Sequence, residues 1–389
     1  MSDQQTDTQT SSNNKSQQRK KGLSIFILLL LLISIGSAAY WYFVIKGFEE
    51  TEDAYVSGNQ VMVSAQVAGN ISKINVDNMD PVQAGDVLLE LDDTNAKLSF
   101  EQAKSNLANA VRQISQLNYT VKQLKSAVRA NEITLAQAQG NLNRRVQLVK
   151  DGAIDKESFQ HAKEAVELAK ANLTTSQNQL EANQALLLDG PLSEQPQIQS
   201  AVSNLKQAWL NLERTKIRSP IKGYVARRNA QVGQAVSVGG ALIAVVTTDQ
   251  MWLDANFKET QLTHMRIGQP AEIHFDLYGK DKTFNGKVVG IEMGTGSAFS
   301  LLPTQNATGN WIKVVQRVPV RIQLDPQQLA ENPLRIGLSA TVKVNVTDSQ
   351  GETLRNQART TTLYSTNVLQ YDESAVNNLI ESIIRDNSY

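Results

Sequence analysis

Residues 100–149 read FEQAKSNLANAVRQISQLNYTVKQLKSAVRANEITLAQAQGNLNRRVQLV. Every seventh residue of this stretch is apolar: Phe100, Leu107, Ile114, Val121, Val128, Leu135, Leu142 and Val149. The positions three residues further on are a second apolar row, broken only at Asn131 and Arg145. Such a double row is typical of helices that pack along a common seam. It predicts a helix from about Thr94 to Val149, on the order of 80 Å long.

A tight turn and a returning helix follow this stretch. Asp151-Gly152 favours a turn, and Asp155 can cap a helix that starts at Lys156. The seven-residue period then resumes, with an interruption at Asp189-Gly190-Pro191, at Phe159, Val166, Leu173, Leu180, Leu187, Ala201 and Ala208. Two arms of similar length around one turn predict an antiparallel helical hairpin. Because Asn131 and Arg145 suit a seam poorly, the turn end could instead face a partner.

An internal repeat flanks the hairpin. Residues 67–71 match residues 221–225, and residues 82–91 match residues 236–245, both at an offset of 154. Each copy alternates apolar and polar residues and has glycine at its turns, which is typical of a small β unit. Each copy is too short to bury a core alone. We therefore predict one β unit whose two halves are separated by the hairpin.

The N-terminal region contains an apolar run, Leu23 to Ile45, without a charged residue. A helix of this length can cross a hydrocarbon layer about 30 Å thick. Four basic residues precede it and four acidic residues follow it, so the positive-inside bias puts residues 1–22 in the cytoplasm. A signal peptide cleaved near Ser37-Ala38-Ala39 is the alternative. The run exceeds the usual apolar core of about 7–15 residues, which favours a retained anchor.

The composition excludes several classes of function. The 38 basic and 38 acidic residues balance, which argues against a nucleic-acid binder. There is no cysteine, which excludes disulfides, thiolate metal sites and thiol nucleophiles. The three histidines, at positions 161, 264 and 274, are far apart in the sequence. We expect no catalytic, cofactor-binding or metal site, and hence a protein that is not an enzyme.

The C-terminal third alternates apolar and polar residues in four segments, which predicts half-buried strands at 252–257, 271–277, 317–324 and 338–346. Glycines at positions 268, 279, 290 and 337 supply the predicted turns. Residues 372–389 can form a short amphipathic helix through Ala375, Leu379, Ile380, Ile383 and Ile384.

Each half of the repeat resembles half of a lipoyl or biotinyl carrier domain. Two such halves, split by a hairpin behind a single anchor, resemble the periplasmic adaptor, or membrane fusion, family. The resemblance extends from the anchor to about Val346. It rests on four further motifs, at residues 52–56, 251–262, 294–303 and 306–316.

This resemblance implies an α+β chain of nested domains. They are a cytoplasmic tail (1–22), a transmembrane helix (23–45), a membrane-proximal β domain (46–60 with 343–389), a lipoyl-like domain (61–92 with 216–247), a coiled-coil hairpin (93–215) and a β-barrel (248–342).

The resemblance also implies a function. Adaptors of this kind anchor in the inner membrane of Gram-negative bacteria, with their bulk in the periplasm. As homo-oligomers, trimer to hexamer, they link an inner-membrane major-facilitator drug transporter to a TolC-like outer-membrane channel in a multidrug efflux pump. Hydrophobic toxic compounds are the implied cargo.

Candidate contact residues follow from the family pattern at the hairpin tip, an arginine, a leucine four residues later and a serine seven residues after that. The pattern falls on Arg144, Leu148 and Asp155, where aspartate replaces serine. Gly152 and Ile154 belong to the same turn. Lys258 and Glu259 could contact the transporter or a neighbouring protomer, although a solvated strand end is an equally good interpretation.

Two other functions remain open. One is a type I secretion adaptor that works with an ABC transporter and exports a polypeptide. Such adaptors usually have longer tails and hairpins, and residues 256–260 fit them less well. The other is a carrier-domain enzyme subunit. A carrier domain bears its modified lysine at the turn between its halves, but the hairpin replaces that turn here and Lys97 lies within the helix.

Overall fold

The computed structural model describes residues 13–40, 47–279, 281–296, 298 and 315–388. They divide into two compact units. The first unit takes the chain up to Val61 together with Val246–Ser365, and the second takes Met62–Val245 together with the residues from Thr366 onward. The units are therefore nested along the sequence.

The helices and strands follow in chain order. The helices are α1 (Asn13–Tyr40), α2 (Thr94–Lys150), α3 (Lys156–Gln184), α4 (Pro196–Glu213), α5 (Pro326–Glu331) and α6 (Ser374–Asn387). The strands are β1 (Phe48–Ser64), β2 (Gly69–Ile74), β3 (Pro81–Val82), β4 (Val87–Leu91), β5 (Lys216–Arg218), β6 (Gly223–Arg228), β7 (Ala235–Val236), β8 (Ala241–Lys258), β9 (Pro270–Phe275), β10 (Phe284–Ile291), β11 (Arg317–Leu324) and β12 (Ser339–Asn345).

Helix α1 overlaps the predicted membrane span, Leu23 to Ile45. The end of that span, residues 41–45, and most of the predicted tail, residues 1–12, lie outside the described residues. The described side chains of Leu23 and of residues 25–35 are exposed. Within the described part of the chain, no helix is both long and apolar enough to cross a membrane.

The first unit contains a β-barrel. Its strands neighbour one another in the order β1, β12, β9, β10, β11 and β8, and β8 pairs back with β1 to close the sheet. Each of these six described strands therefore has a neighbour on both sides, and the sheet continues from β8 through β6 to β3. The interior is filled by fully buried apolar side chains, among them Leu253, Ala255, Phe257, Ile273, Phe275, Val320, Ile322, Val342 and Val344.

Strand β10 was missed by the sequence prediction, which assigned Gly290 to a turn. Gly290 lies instead within β10, where the register with β11 shifts. Gly286, in the same strand, approaches the barrel interior so closely that a Cβ atom would lie 2.6 Å from Cγ2 of Ile322. Both glycines lie within a strand, so the assignment of Gly290 to a turn, which is the commoner place for glycine, is wrong. The predicted turn glycines at 268, 279 and 337 do have positive φ angles.

Strand β1 joins the two segments that were grouped from the sequence, and it also contributes to the barrel core. Residues 46–60 were assigned with 343–389 to a separate membrane-proximal domain. In the structure β1 pairs with β12, with Phe48 opposite Asn345 and Tyr55 opposite Ser339. The fully buried Ala54 and the buried Val56 belong to the same core as the other barrel strands. The barrel is therefore completed by a strand that precedes the hairpin in the sequence.

The second unit contains the predicted repeat. The bounds of β2 and β6, and those of β3 and β7, differ by 154 residues, and β4 and β8 begin 154 residues apart. The halves interlock, because β2 pairs with β7 and β3 pairs with β6. Their apolar residues share one buried core, which includes Ile71, Leu88, Leu89, Val225, Leu242, Ile243 and Val245.

The two halves of this β unit exchange equivalent hydrogen bonds. The amide of Ile71 donates to the carbonyl of Gln234 (2.9 Å), and the equivalent amide of Val225 donates to the carbonyl of Asp80 (3.0 Å). At one equivalent position the two halves have different residue types in the same left-handed backbone conformation. Met79 adopts φ 74°, a conformation that Gly233 supplies in the other half with φ 83°. The unit is thus a pseudo-twofold pair of β motifs.

The helical hairpin joins these two halves. Helix α2 contains 57 residues, about 85 Å at 1.5 Å per residue, and α3 and α4 form the return arm. The predicted seam residues are buried or half-buried along both arms, and Arg145 is exposed. Asn131 is accommodated in the seam because its Nδ2 donates to Oγ of Ser176 across the helices (2.6 Å).

The return arm is interrupted where the sequence predicted, although α3 already ends at Gln184. The buried side chain of Gln195 bridges the interruption. Its Oε1 accepts from the amide of Leu188 (3.1 Å), and its Nε2 donates to the Leu188 carbonyl (2.9 Å). One glutamine therefore satisfies backbone groups that the broken helix leaves without partners.

The C-terminal amphipathic helix forms as α6 but packs where the sequence did not indicate. Residues 343–389 were grouped with the membrane-proximal domain, whereas Val376 and Ile380 of α6 share a buried cluster with Leu107 of α2 and Leu205 of α4. The physical reason is that α6 offers an apolar face to an apolar flank of the hairpin base. Ala375, which the sequence placed on that face, is exposed.

Candidate functional site

The hairpin tip is formed by a sharp connection from α2 to α3. The amide of Gly152 donates to the carbonyl of Val149 (3.2 Å), and the amide of Ala153 donates to the carbonyl of Leu148 (2.8 Å). Gly152 has φ +68°, and a Cβ atom there would meet no atom within 4 Å. This pair of bonds around a left-handed glycine satisfies the last carbonyls of α2. Glycine at 152 is thus required by the backbone conformation, not by crowding.

Helix α3 starts as predicted at Lys156, with Asp155 in the extended conformation before it. Its carboxylate accepts no hydrogen bond that satisfies the full capping geometry. A hydrogen bond with the Ser158 side chain, and a weaker one with the Ser158 backbone amide, lower the pKa of the Asp155 carboxyl below its usual value. No contact or capping role was predicted for Ser158 from the sequence. An Asp155-Ser158 pair therefore stands where the family pattern has a single serine.

The other predicted tip residues are mostly exposed. Leu148 keeps 42% of its surface accessible, and Arg144 is exposed, with its guanidinium bonded to the side chain of Asn141. Arg144 and Leu148 are four residues apart, so they share one face of α2. Ile154 differs, because it is half-buried at the turn.

One apolar residue of the tip, Val146, was not predicted as a contact residue. Val146 is 37% exposed and lies beside Arg145, outside the seven-residue seam. The sequence contained one signal for its exposure, because Val146 is apolar but lies outside the seam of the predicted hairpin. Val146 and Leu148 are two residues apart in α2 and therefore point in different directions, so each adds a separate exposed apolar side chain near the tip.

Lys258 and Glu259 lie in the first unit, at the end of β8, and both are exposed. Neither forms an ion pair with another residue in the described part of the chain. The backbone there is held by the Gln261 side chain, whose Oε1 accepts from the Lys258 amide (3.0 Å) and whose Nε2 donates to the Glu50 carbonyl (3.0 Å).

The sequence motifs at 52–56 and 251–262 are explained by barrel closure near this strand end. Nε of Arg317 lies 3.4 Å from Oδ2 of Asp53, and Nδ2 of Asn256 donates to Oδ1 of Asp53 (3.2 Å). The buried Thr51 donates from Oγ1 to the carbonyl of Asn256 (2.9 Å). These bonds tie β1, β8 and β11 together. The motifs at 294–303 and 306–316 fall largely outside the described residues.

Comparison with known proteins bears on both regions. Residues 94–215 match the family model described as the EmrA alpha-helical hairpin domain, and residues 250–345 match an AAEA-like beta-barrel domain.

Relatives match over most of the chain. It is 77% identical to the multidrug export protein EmrA of Haemophilus influenzae over 91% of each chain, and 50% identical to EmrA of Escherichia coli over the same shares. The fatty acid resistance protein FarA of Neisseria gonorrhoeae is 52% identical over 76% of this chain and 75% of its own. The chain therefore belongs to the EmrA family of multidrug efflux adaptors.

Proposed function

We propose that the protein is the periplasmic adaptor of a tripartite multidrug efflux pump. The observation that carries this proposal is its 77% identity, across 91% of both chains, to a protein named for multidrug export. Its role is geometric and not enzymatic: it joins a transporter in one membrane to a channel in the other. The transporter moves the drug, and the adaptor supplies a sealed connection.

The anchor of the adaptor is the N-terminal helix. Leu28 and Leu30 of α1 are 63% and 52% exposed, and apolar side chains of this kind are suited to a lipid environment. The basic residues at 15 and 19–21 then keep the N-terminus in the cytoplasm, with the rest of the chain in the periplasm. We retain the single-pass span at residues 23–45 as part of the proposal.

The inner-membrane partner is a major-facilitator drug transporter of the EmrB type. The membrane-proximal strand β1 and the exposed pair Lys258 and Glu259 lie in the unit that also contains α1. This shared location supports that unit as the contact with the transporter or with a neighbouring protomer.

The outer-membrane partner is a TolC-like channel, which the hairpin tip contacts. Exposed Leu148 and Arg144 supply an apolar anchor and a charge, and Asp155 bonded to Ser158 supplies a polar acceptor on the opposite arm. Gly152 fixes the turn that presents them. Several protomers, a trimer to a hexamer, would place their tips side by side around a conduit, with the interlocked repeat as a lipoyl-like ring below.

The cargo is a hydrophobic toxic compound. Relatives of this chain carry names that refer to multidrug export and to fatty acid resistance, which both point to apolar or amphipathic molecules. A polypeptide cargo, as for a type I secretion adaptor, is the less favoured alternative, because the matching relatives are named for drug and fatty acid resistance.

Leu148→Asp tests the docking step. We expect loss of drug resistance in cells, because a charge replaces the apolar anchor, with normal expression and membrane insertion. Leu277→Asp is the control, since Leu277 is similarly exposed (49%) but lies in the barrel unit. Unchanged resistance in the Leu148 variant would contradict tip docking.

Co-purification of the membrane-extracted protein tests the partner assignment. A major-facilitator transporter should accompany the adaptor from the inner membrane, and a TolC-like channel should be lost selectively when Leu148 is aspartate. Recovery of an ABC transporter in place of the facilitator would favour the secretion function instead.

A further inference from the structure

We infer that one flank of the hairpin base is a receptor for an amphipathic helix, and that the chain's own C-terminal helix α6 is its tethered, detachable ligand. The docking contacts lie within the second unit, and the inference does not depend on the proposed pump partners. The flank is formed by the lower part of α2 and by α4.

The contact is apolar along one face of α6. Val376 and Ile380 are 2% and 6% exposed, and they belong to the same buried cluster as Leu107, Val111, Ile114, Ile198 and Leu205. Ile383 and Ile384 pack against this cluster. These four residues of α6 follow the spacing of a helix that lays one apolar face into a groove.

Polar contacts frame both ends of α6 and fix its direction. At its start, Nζ of Lys206 lies 2.8 Å from Oε2 of Glu373. At its end, Nε of Arg112 donates to Oδ1 of Asn387 (2.8 Å). Just before the helix, the ring of Tyr371 meets the ring of Trp209 edge to face, with centroids 6.3 Å apart. An apolar face with an ion pair at one end and a side-chain hydrogen bond at the other defines one direction and register for α6.

The helix is attached by a long and mostly exposed tether, which is held near its end by a bond from Oγ1 of Thr366 to the carbonyl of Pro220 (2.7 Å). Residues 346–373 form neither helix nor strand, and every residue from 353 to 365 is exposed. Helix α6 has 14 residues, a length at which isolated helices are marginal in water, so its folding is coupled to docking. The tether raises the local concentration of α6 and thereby keeps it docked. Undocking requires the disruption of neither the barrel nor the interlocked β unit.

The docked helix determines how the hairpin base is built. Below the interruption bridged by Gln195, α2, α4 and α6 form a three-helix cluster, whereas α2 and α3 pack as a pair beyond it. Removal of α6 would expose apolar residues of both α2 and α4. The clasp, defined as residues 366–387, therefore keeps α4 ordered against α2.

Hydrogen exchange of the membrane-extracted protein tests the clasp. A variant that ends at Tyr371 should exchange the amides of α4 and of residues 103–114 at least tenfold faster, while α3 stays unchanged. A synthetic peptide of residues 372–389 should restore slow exchange in that variant and should not bind the full chain. Unchanged exchange after truncation, or no rescue by the peptide, would overturn the inference.

Point variants keep the test independent of truncation. In the full chain, Ile380→Asp should reproduce the faster exchange, whereas Glu381→Ala should not, because Glu381 is exposed on the same helix. Lys206→Glu should accelerate exchange severalfold, and adding Glu373→Lys should reverse that effect. Failure of the reversed pair to recover would count against the ion pair and hence the docking register.

Cross-linking tests whether the docked helix is the chain's own α6. Because the chain has no cysteine, introduced cysteines are the only thiols that can react. Lys206→Cys combined with Glu373→Cys, treated with a short bismaleimide, should cross-link within one chain and migrate at monomer mass. A cross-linked dimer as the main product would overturn the assignment to the chain's own helix.

Discussion

At the base of the hairpin the seam residue Leu107 is fully buried, whereas at its tip the seam residue Val149 is half-buried and Leu148, beside the seam, keeps 42% of its surface exposed. The same seven-residue period runs through both regions. The base is covered by a third helix, α6, while α2 and α3 form the tip in the part of the chain that the structure describes. The comparison teaches that periodicity decides which residues face a neighbour, but that the number of packed layers decides how far those residues are buried.

The largest expected difference between base and tip is in the free energy of unfolding. Leu107→Ala should lower it by about 3 kcal/mol, because the substitution leaves a cavity in a fully buried site. Leu148→Ala should change it by less than about 0.5 kcal/mol. Denaturant unfolding of the extracted protein measures both, and equal losses would break the comparison.

The next largest expected difference is the change in stability when glycine is replaced by alanine at the tip and within the α2 arm. Gly152→Ala should cost roughly 1–2 kcal/mol, because alanine disfavours the left-handed φ of +68°. Gly140→Ala, inside α2, should stabilise by about 0.5–1 kcal/mol, since a Cβ atom there would meet only Nη1 of Arg144 at 3.8 Å. Thermal unfolding compares the two, and effects of the same sign would contradict the tip geometry.

Midway between base and tip, the Asn131–Ser176 bond should contribute about 0.5–1.5 kcal/mol. A double-mutant cycle with Asn131→Ala and Ser176→Ala measures the coupling. Additive effects would mean that the seam tolerates Asn131 without the bond.

The smallest effect is the pH dependence of the tip. The hydrogen bond to Ser158 lowers the pKa of Asp155, so the folded tip gains stability above the unfolded value, about 3.9, and loses it as the pH falls through the folded value. Asp155→Asn should remove this acid dependence from hydrogen exchange at residues 156–159, after correction for intrinsic rates.

Asp92 supplies the matched control at the base. A bond from the Thr94 side chain lowers the pKa of Asp92. Asp92→Asn should alter the acid response near the start of α2 and leave the tip unchanged. A tip response to Asp92→Asn would show that the two ends do not titrate independently.

Local patterns in the sequence predicted much of this fold. The seven-residue period gave the seam, Asp151-Gly152 gave the turn, and the offset of 154 residues gave the interlocked halves. These features depend on neighbours along the chain or on similarity between two segments. Both kinds of information are present in a single sequence.

Features that depend on distant partners were not predictable. The amphipathic pattern of α6 showed an apolar face but not the flank of α2 and α4 that covers it. In the same way, β1 alternates like any strand, and only its pairing with β12 and β8 assigns it to the barrel. At the candidate site, the sequence located the tip residues, but it did not predict the bond between the side chains of Asp155 and Ser158.

The interlocked repeat has a consequence for the order of folding. Strand β2 is synthesised well before its partner β7, and the whole hairpin lies between them. Closing a flexible loop of that size is entropically costly, but the hairpin is built from local helical contacts that form quickly. If the two arms associate progressively from the tip, they bring residues 92 and 216 together. The loop that must be closed between β2 and β7 then becomes shorter. The hairpin thus acts as a folding guide for the β unit that it divides.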